Sequence, residues 1–398
     1  MRHEMELKFF TSGDFVRGSS AITAGGAGEF FLTVSTAEKA NFLDELDALN
    51  DSYASALEEH GLSDNTLVFS RFFISDIVNM KSTLEESGIY RRAGNGAVSV
   101  IQQTSVEGGS VSMLAYHITC GDGALKKTAL RYDKENWRHG LLIEGANYDL
   151  LWSANLYDTE HFDSYKQTTG IFESYNKIIG EHGMNLLDNV VRTWFFVRDV
   201  DNHYKGLLDS RKAFFDGHGL TPDTRYIAST GIEGISKEVD ALVDLDALAV
   251  SNLAEGQNVR MDALDHLSPT IKYGGTFERG TRIRFGDRSH LYISGTASID
   301  KDGEVVHLSD VGKQTQRTLE NIRALLEPHG AGLDDMAYLI VYIRTVKYKE
   351  KVAEVLAKEV SGDIPLIFVE SPVCRPTWLV EMEGIGIIPD SNDFPPFF

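Results

Sequence analysis

The sequence predicts an α+β fold of three tandem units, each a mixed β-sheet with two helices on one face, burying their opposite sheet faces, or their edges, against one another. Three observations predict it. The order strand, helix, strand, helix, strand, strand runs through the chain three times. An apolar content of 42% over 398 residues is enough for two or three cores. The closing strands VSMLAYHI, LVDLDALAV and LVEMEGIGI fall in one register, which sets Ser112, Asp244 and Glu381 in equivalent places. The units are placed at 1–120, 121–256 and 257–398.

Taken in order, residues 29–35 (EFFLTVS) read as a strand. Residues 40–60 follow as a helix, with Phe42, Leu43, Leu46, Leu49, Tyr53, Ala56 and Leu57 on one face and Gly61 as its stop. A strand at 67–76, a short helix at 77–87 and a strand pair at 97–104 and 111–118 complete the unit. The second unit repeats this with a strand at 149–155 and a helix whose apolar stripe from Phe162 to Ile179 ends at His182-Gly183. A strand at 190–199, a helix at 204–215 and strands at 225–230 and 242–250 follow. The third has a strand at 290–298, a helix at 311–329 stopped by Gly330, a strand at 336–345, a helix at 349–358 and a strand at 365–369. Its closing strand carries Glu381. Residues 121–140 and 251–289 have no counterpart in the other units and read as joints, the second being Gly-rich and suited to a loop along an interface.

Composition narrows the partners. Lys+Arg 38 against Asp+Glu 59 gives a net charge of −21, which argues against nucleic acid and anionic membrane and leaves room for a small anionic metabolite in a local cationic pocket. Cys120 and Cys374 are too few for a disulfide framework and lack the spacing of a metal or redox motif. With no leader-like N-terminus and no apolar run of spanning length, a cytoplasmic location is expected. The 12 histidines are scattered, no HExxH or GxxxxGK[ST] occurs, and Gly25-Gly26-Ala27-Gly28 lacks the context of a dinucleotide loop. Neither metal nor cofactor is expected.

Glutamate is depleted from strands, so Glu381 is either on a solvated face or aimed into a polar site. Glu383, on the same face, fits the solvated reading as well. Cys374 is either a buried inert thiol or a pocket residue beside Arg375. The Ser294-Gly295-Thr296 turn ends a strand where a hydroxyl and bare backbone can approach a ligand, or is a plain turn.

The repeated unit resembles the RidA/YjgF (endoribonuclease L-PSP, chorismate mutase-like) superfamily, whose small subunit has this element order and forms trimers with sites in the clefts between subunits; the resemblance implies that the three units form an intramolecular pseudo-trimer. By that resemblance the family's arginine, cysteine and glutamate signature places Arg225, Ile227 and Asp244 in the middle unit and Leu366, Phe368 and Glu381 in the last. Residues 293–298 (ISGTAS), 314–326 (QTQRTLENIRALL) and Cys374-Arg375 with Glu381 are similar to the chorismatases, which hydrolyse chorismate with loss of pyruvate. So are Arg192-Thr193-Trp194, Tyr204 with Arg211, and residues 228–232 (ASTGI). The resemblance implies Glu381 as acid/base, Cys374 as a product-steering residue, and Arg225, Arg344, Arg375 and Arg279 as candidates for binding substrate carboxylates. An enamine/imine deaminase and a non-catalytic ligand-binding or scaffold protein with decayed sites are the alternatives. The oligomeric state beyond the internal trimer is left open.

Overall fold

A computed structural model describes residues 5–23, 25–121, 125–132 and 138–398. The first unit comprises β1 (Glu6–Ser12), β2 (Val16–Ile22), β3 (Ala27–Val34), α1 (Phe42–Glu59), β4 (Leu67–Ile74), α2 (Ile77–Glu86), α3 (Gly88–Ala93), β5 (Ala97–Gln102), β6 (Thr104–Ser105) and β7 (Val111–Cys120). The second comprises β8 (Lys126–Tyr132), β9 (Arg138–Glu144), β10 (Asp149–Tyr157), α4 (Ser164–Gly180), β11 (Val190–Val197), α5 (Val200–Gly217), β12 (Ala228–Glu233), β13 (Ile235–Ser236) and β14 (Val243–Val250). The third comprises β15 (Asn258–Met261), β16 (Gly280–Arg284), β17 (Arg288–Ala297), α6 (Val311–Leu326), β18 (Met336–Ile343), α7 (Lys349–Glu359), β19 (Leu366–Glu370) and β20 (Val380–Pro389).

Each unit builds one mixed sheet of the same plan: β1-β2-β3-β7-β4-β5, then β8-β9-β10-β14-β11-β12, then β15-β16-β17-β20-β18-β19. Within each, only the last pair is parallel. The expected repeat of six elements is therefore longer, because an antiparallel pair opens every unit. The stretches read as unmatched joints, 121–140 and 251–289, contain β8 with the start of β9, and β15 with β16. They are counterparts of β1 and β2. Two helix readings also change: the helix at 77–87 ends at Glu86 and a second short helix, 88–93, follows it after Ser87, and 204–215 begins four residues earlier. Gly61, Gly183 and Gly330 follow their helices with φ of 65°, 71° and 73°, as their reading as stops requires.

The register of the closing strands agrees with the alignment made from sequence. Ser112 lies opposite Phe73, Asp244 opposite Phe196 and Glu381 opposite Tyr342, each the seventh residue of its strand.

Helices cover one face of each sheet, and the opposite faces meet in a common core. Phe69, Trp152 and Trp194 stack across the first two units with centroids 4.5 and 5.9 Å apart, and Phe31 meets Tyr338 across the first and third. Three ion pairs buried to 1% exposure or less cross the same junctions: Arg71–Asp246, Arg192–Glu383 and Arg288–Glu29. A short segment after each penultimate strand also crosses to a neighbour. β6 pairs with β19, β13 with β5, and Val373 bridges to Ile232 of β12. The last crossing brings residues 371–379 of the third unit against the second.

Candidate functional site between the second and third units

Period-two alternation puts Glu381 and Glu383 on one face of β20, the face turned toward the second unit. Neither is solvated; they are 4% and 1% exposed. Glu383 accepts from Tyr342 Oη at 2.7 Å, from Thr230 Oγ1 and from the Arg192 guanidinium. The same guanidinium donates to Thr230 Oγ1 at 2.6 Å and to the carbonyl of Ile293 at 3.3 Å. Thr230 Oγ1 also accepts the Gly295 amide at 2.9 Å, so this polar cluster ties β11 and β12 to β17 and β20.

Glu381 differs. Among the described residues no group hydrogen-bonds its carboxyl. Its pKa is pushed up to about 8, first by burial and then by the negative charge of Glu383, with Arg279 and Arg192 pulling the other way. The carboxyl lies over Gly295, where a β-carbon would come within 2.1 Å of Oε1. Glycine is required here by close approach rather than by backbone angle.

A cavity of about 220 Å³ opens in front of this carboxyl. Tyr204, Leu208 and Arg211 of α5 and Ser229 and Gly231 of β12 form the second unit's wall. Opposite stand Phe277, Arg279, Gly295, Cys374, Arg375, Trp378 and Glu381 of the third. Arg211 donates to Thr276 Oγ1 at 3.0 Å and Arg279 to the Ser268 carbonyl at 3.1 Å, and both guanidinia flank the Phe277 ring at 5.7 and 5.5 Å. Such bracing preorients two cations at modest entropic cost. Arg375 lies over Trp378 at 4.7 Å and donates to the Gly303 carbonyl. Burial and the adjacent Glu381 raise the Cys374 thiol well above its ordinary pKa, the opposite of what a nucleophilic thiolate needs. Tyr204 hydrogen-bonds that thiol.

Five of the residues proposed from sequence thus share one cavity: Glu381, Cys374, Arg375, Arg279 and Gly295. Cys374 and Arg375 both reach it because residues 374–377 form a turn, so strand alternation does not separate them. Four others do not line it. Arg225 donates to the carbonyls of Tyr226, Leu187 and Val190 at 2.8–3.0 Å. Arg344 donates to the carbonyls of Val373 and Trp378 and bridges to Asp201, bracing the segment that carries Cys374. Ser294 Oγ joins the Ser229 amide to the Glu278 carbonyl, and Thr296 Oγ1 donates to the Ser294 carbonyl. The alignment of Leu366 with Arg225 also changes. Leu366 lies opposite Leu339, and the residue in that place in the second unit is Ser229, opposite Thr193. Arg211, Phe277 and Trp378 were not proposed as site residues from sequence, nor was the Arg192–Glu383 pair. Arginine inside the apolar strand VVRTWFFV was the available signal for that pair.

Residues 282–388, within this third unit, match the family model described as Endoribonuclease L-PSP. Over 81% of its length the chain is similar in fold to a chorismatase, whose crystal structure aligns with a TM-score of 0.61 at 18% identity and is covered to 93%. Single-unit matches include a Rid-family protein from Yersinia pestis at 25% identity and a putative endoribonuclease from Thermotoga maritima at 24%. Each covers 32% of this chain, and 98% and 96% of their own, with a TM-score of 0.28.

Proposed function

We propose that the chain is a hydrolase of a small, doubly carboxylated enol ether, with chorismate as the substrate. The observation that carries this reading is a buried carboxyl that no group among the described residues hydrogen-bonds, pushed up to about 8, facing a cavity flanked by two braced arginines. A carboxyl still protonated near neutral pH is suited to general-acid work. Arg211 and Arg279 bind the two substrate carboxylates. Glu381 gives its proton to the methylene carbon of the enolpyruvyl group, whose double-bond electrons form the new C–H bond and leave an oxocarbenium ion. Water adds to that cation and returns a proton to Glu381. The resulting hemiketal breaks its bond to the ring oxygen, which takes the hemiketal proton, and pyruvate and a ring alcohol leave. The fold shared with a chorismatase supports the choice of substrate.

The test is pyruvate release from chorismate by the purified protein, followed by coupled reduction to lactate. Release by the wild type and its loss in Glu381→Gln is the expected result. A wild type that releases none rules out this substrate, and release that survives Glu381→Gln rules out the assigned acid.

A further inference from the structure

Glu381 and Glu383 are two residues apart on one face of β20, about 7 Å by strand rise, within a dry junction. Three donors converge on Glu383, from Tyr342 of its own unit and from Arg192 and Thr230 of the second unit. A carboxyl that accepts all three and donates to none is bound as a carboxylate. We propose that Glu383 is a positioning residue whose buried negative charge, fixed in place by Arg192, keeps the Glu381 carboxyl protonated and able to donate.

The other charged or titratable groups around Glu381 are Arg279 beside β16, Arg211 and Tyr204 of α5, and Cys374 and Arg375 of the crossing segment. The arginines favour ionisation of Glu381, so burial and Glu383 must outweigh them. Of the charges that act on Glu381, that of Glu383 is the largest, ahead of Arg279 and Arg192. The arrangement is also built a second time. Asp246 is held by Arg71, and Asp244, two residues before it on β14, is pushed up in the same way.

The inference rests on the reading of Glu381 as proton donor but is measured without substrate. Full-length protein carrying carboxyl-¹³C glutamate is titrated by NMR, with Glu381→Gln assigning the resonance. In Glu383→Gln the Glu381 titration should move down by about one pH unit or more, and the alkaline limb of pyruvate release should move with it while the acid plateau is kept. A purely structural Glu383 would lower activity evenly at every pH and leave the titration in place, which would overturn the proposal. Should Glu383→Gln fail to fold, the double variant Glu383→Gln with Arg192→Met removes both charges. The shift then keeps its sign and is smaller, because Arg192 acts on Glu381 less than Glu383 does. A shifted titration with no pyruvate from wild type leaves this inference standing and removes the proposed substrate. Pyruvate release with an unshifted titration does the reverse.

Discussion

At the junction of the first and second units Asp246 binds Arg71, and Asp244 stands two residues before it. At the junction of the second and third, Glu383 binds Arg192 and Glu381 stands two residues before it. Both leading acids are buried and both are pushed up to about 8, by burial first and by the second acid next. The clefts differ in what lies on the bulge of the neighbouring strand. Register shifts at Ser153/Leu156 and Ile293/Thr296 put Asn155 and Gly295 in the same place. The Asn155 amide donates to Asp244 at 3.0 Å and its oxygen accepts the Val100 amide at 2.8 Å, and Ser236 donates to Asp244 as well. One cleft is therefore filled, and one oxygen of its acid takes two hydrogen bonds while the other takes none from the described residues. In the other the missing side chain leaves a carboxyl facing a cavity. In the third cleft Ser112 replaces the acid, and its cavity of about 230 Å³ is walled partly by Phe368, the counterpart of Gly231. Access, more than acidity, separates the two clefts that carry an acid.

The largest test of that contrast compares Glu381→Gln with Asp244→Asn. The first should lower kcat/KM for pyruvate release by about 10²–10⁴-fold, and the second should leave it near wild type, because an amide mimics the protonated acid that Asn155 and Ser236 already hold. Equal losses would mean that both clefts work. Next is Arg71→Ala, which strands Asp246 in the core. A cost of about 3–5 kcal/mol in urea unfolding, with activity per folded molecule retained, would assign Arg71 to structure. Third is Gly295→Ala. Its new β-carbon would come within 2.1 Å of the Glu381 carboxyl and 3.1 Å of Thr230 Cγ2, so the melting temperature should fall only slightly while activity falls on the order of 10²-fold from a misplaced acid. A variant with normal activity would show that the acid tolerates displacement.

Apolar runs made the inner strands legible: LVFSRFFI, VVRTWFFV and MAYLIVYI are buried along their whole length. The opening pairs were not, because strands such as ELKFFTS and NVRM run at sheet edges with several half-exposed or exposed positions, where no apolar period is imposed. Glu381 was legible as one of two acids in a strand whose other residues are apolar or glycine. Arg211 was harder to read, since a cation on a helix is ordinarily solvated and nothing local says that α5 faces a neighbouring unit. Arg225 was placed by a short likeness to a signature, whereas its position depends on strand register, which only pairing partners define.

The last expected effect is on stability against pH, and it too separates the clefts. Asp244 and Glu381 hold protons near pH 8 in the folded chain that the unfolded chain releases near pH 4. The folded state therefore binds more protons across that window, and stability from these two groups is full below about pH 4 and is lost as pH rises toward 8. Glu29 works oppositely. His290 and Arg288 outweigh its burial and hold it at about 2, so its contribution is present above pH 4 and lost as pH falls toward 2. Urea midpoints measured from pH 4 to 8 should decline in the wild type and decline less in Asp244→Asn, whose share of the proton uptake is gone. A slope unchanged by Asp244→Asn but flattened by Glu381→Gln would mean that the filled cleft holds its acid ionised, and that the resemblance between the two acid pairs stops at their geometry.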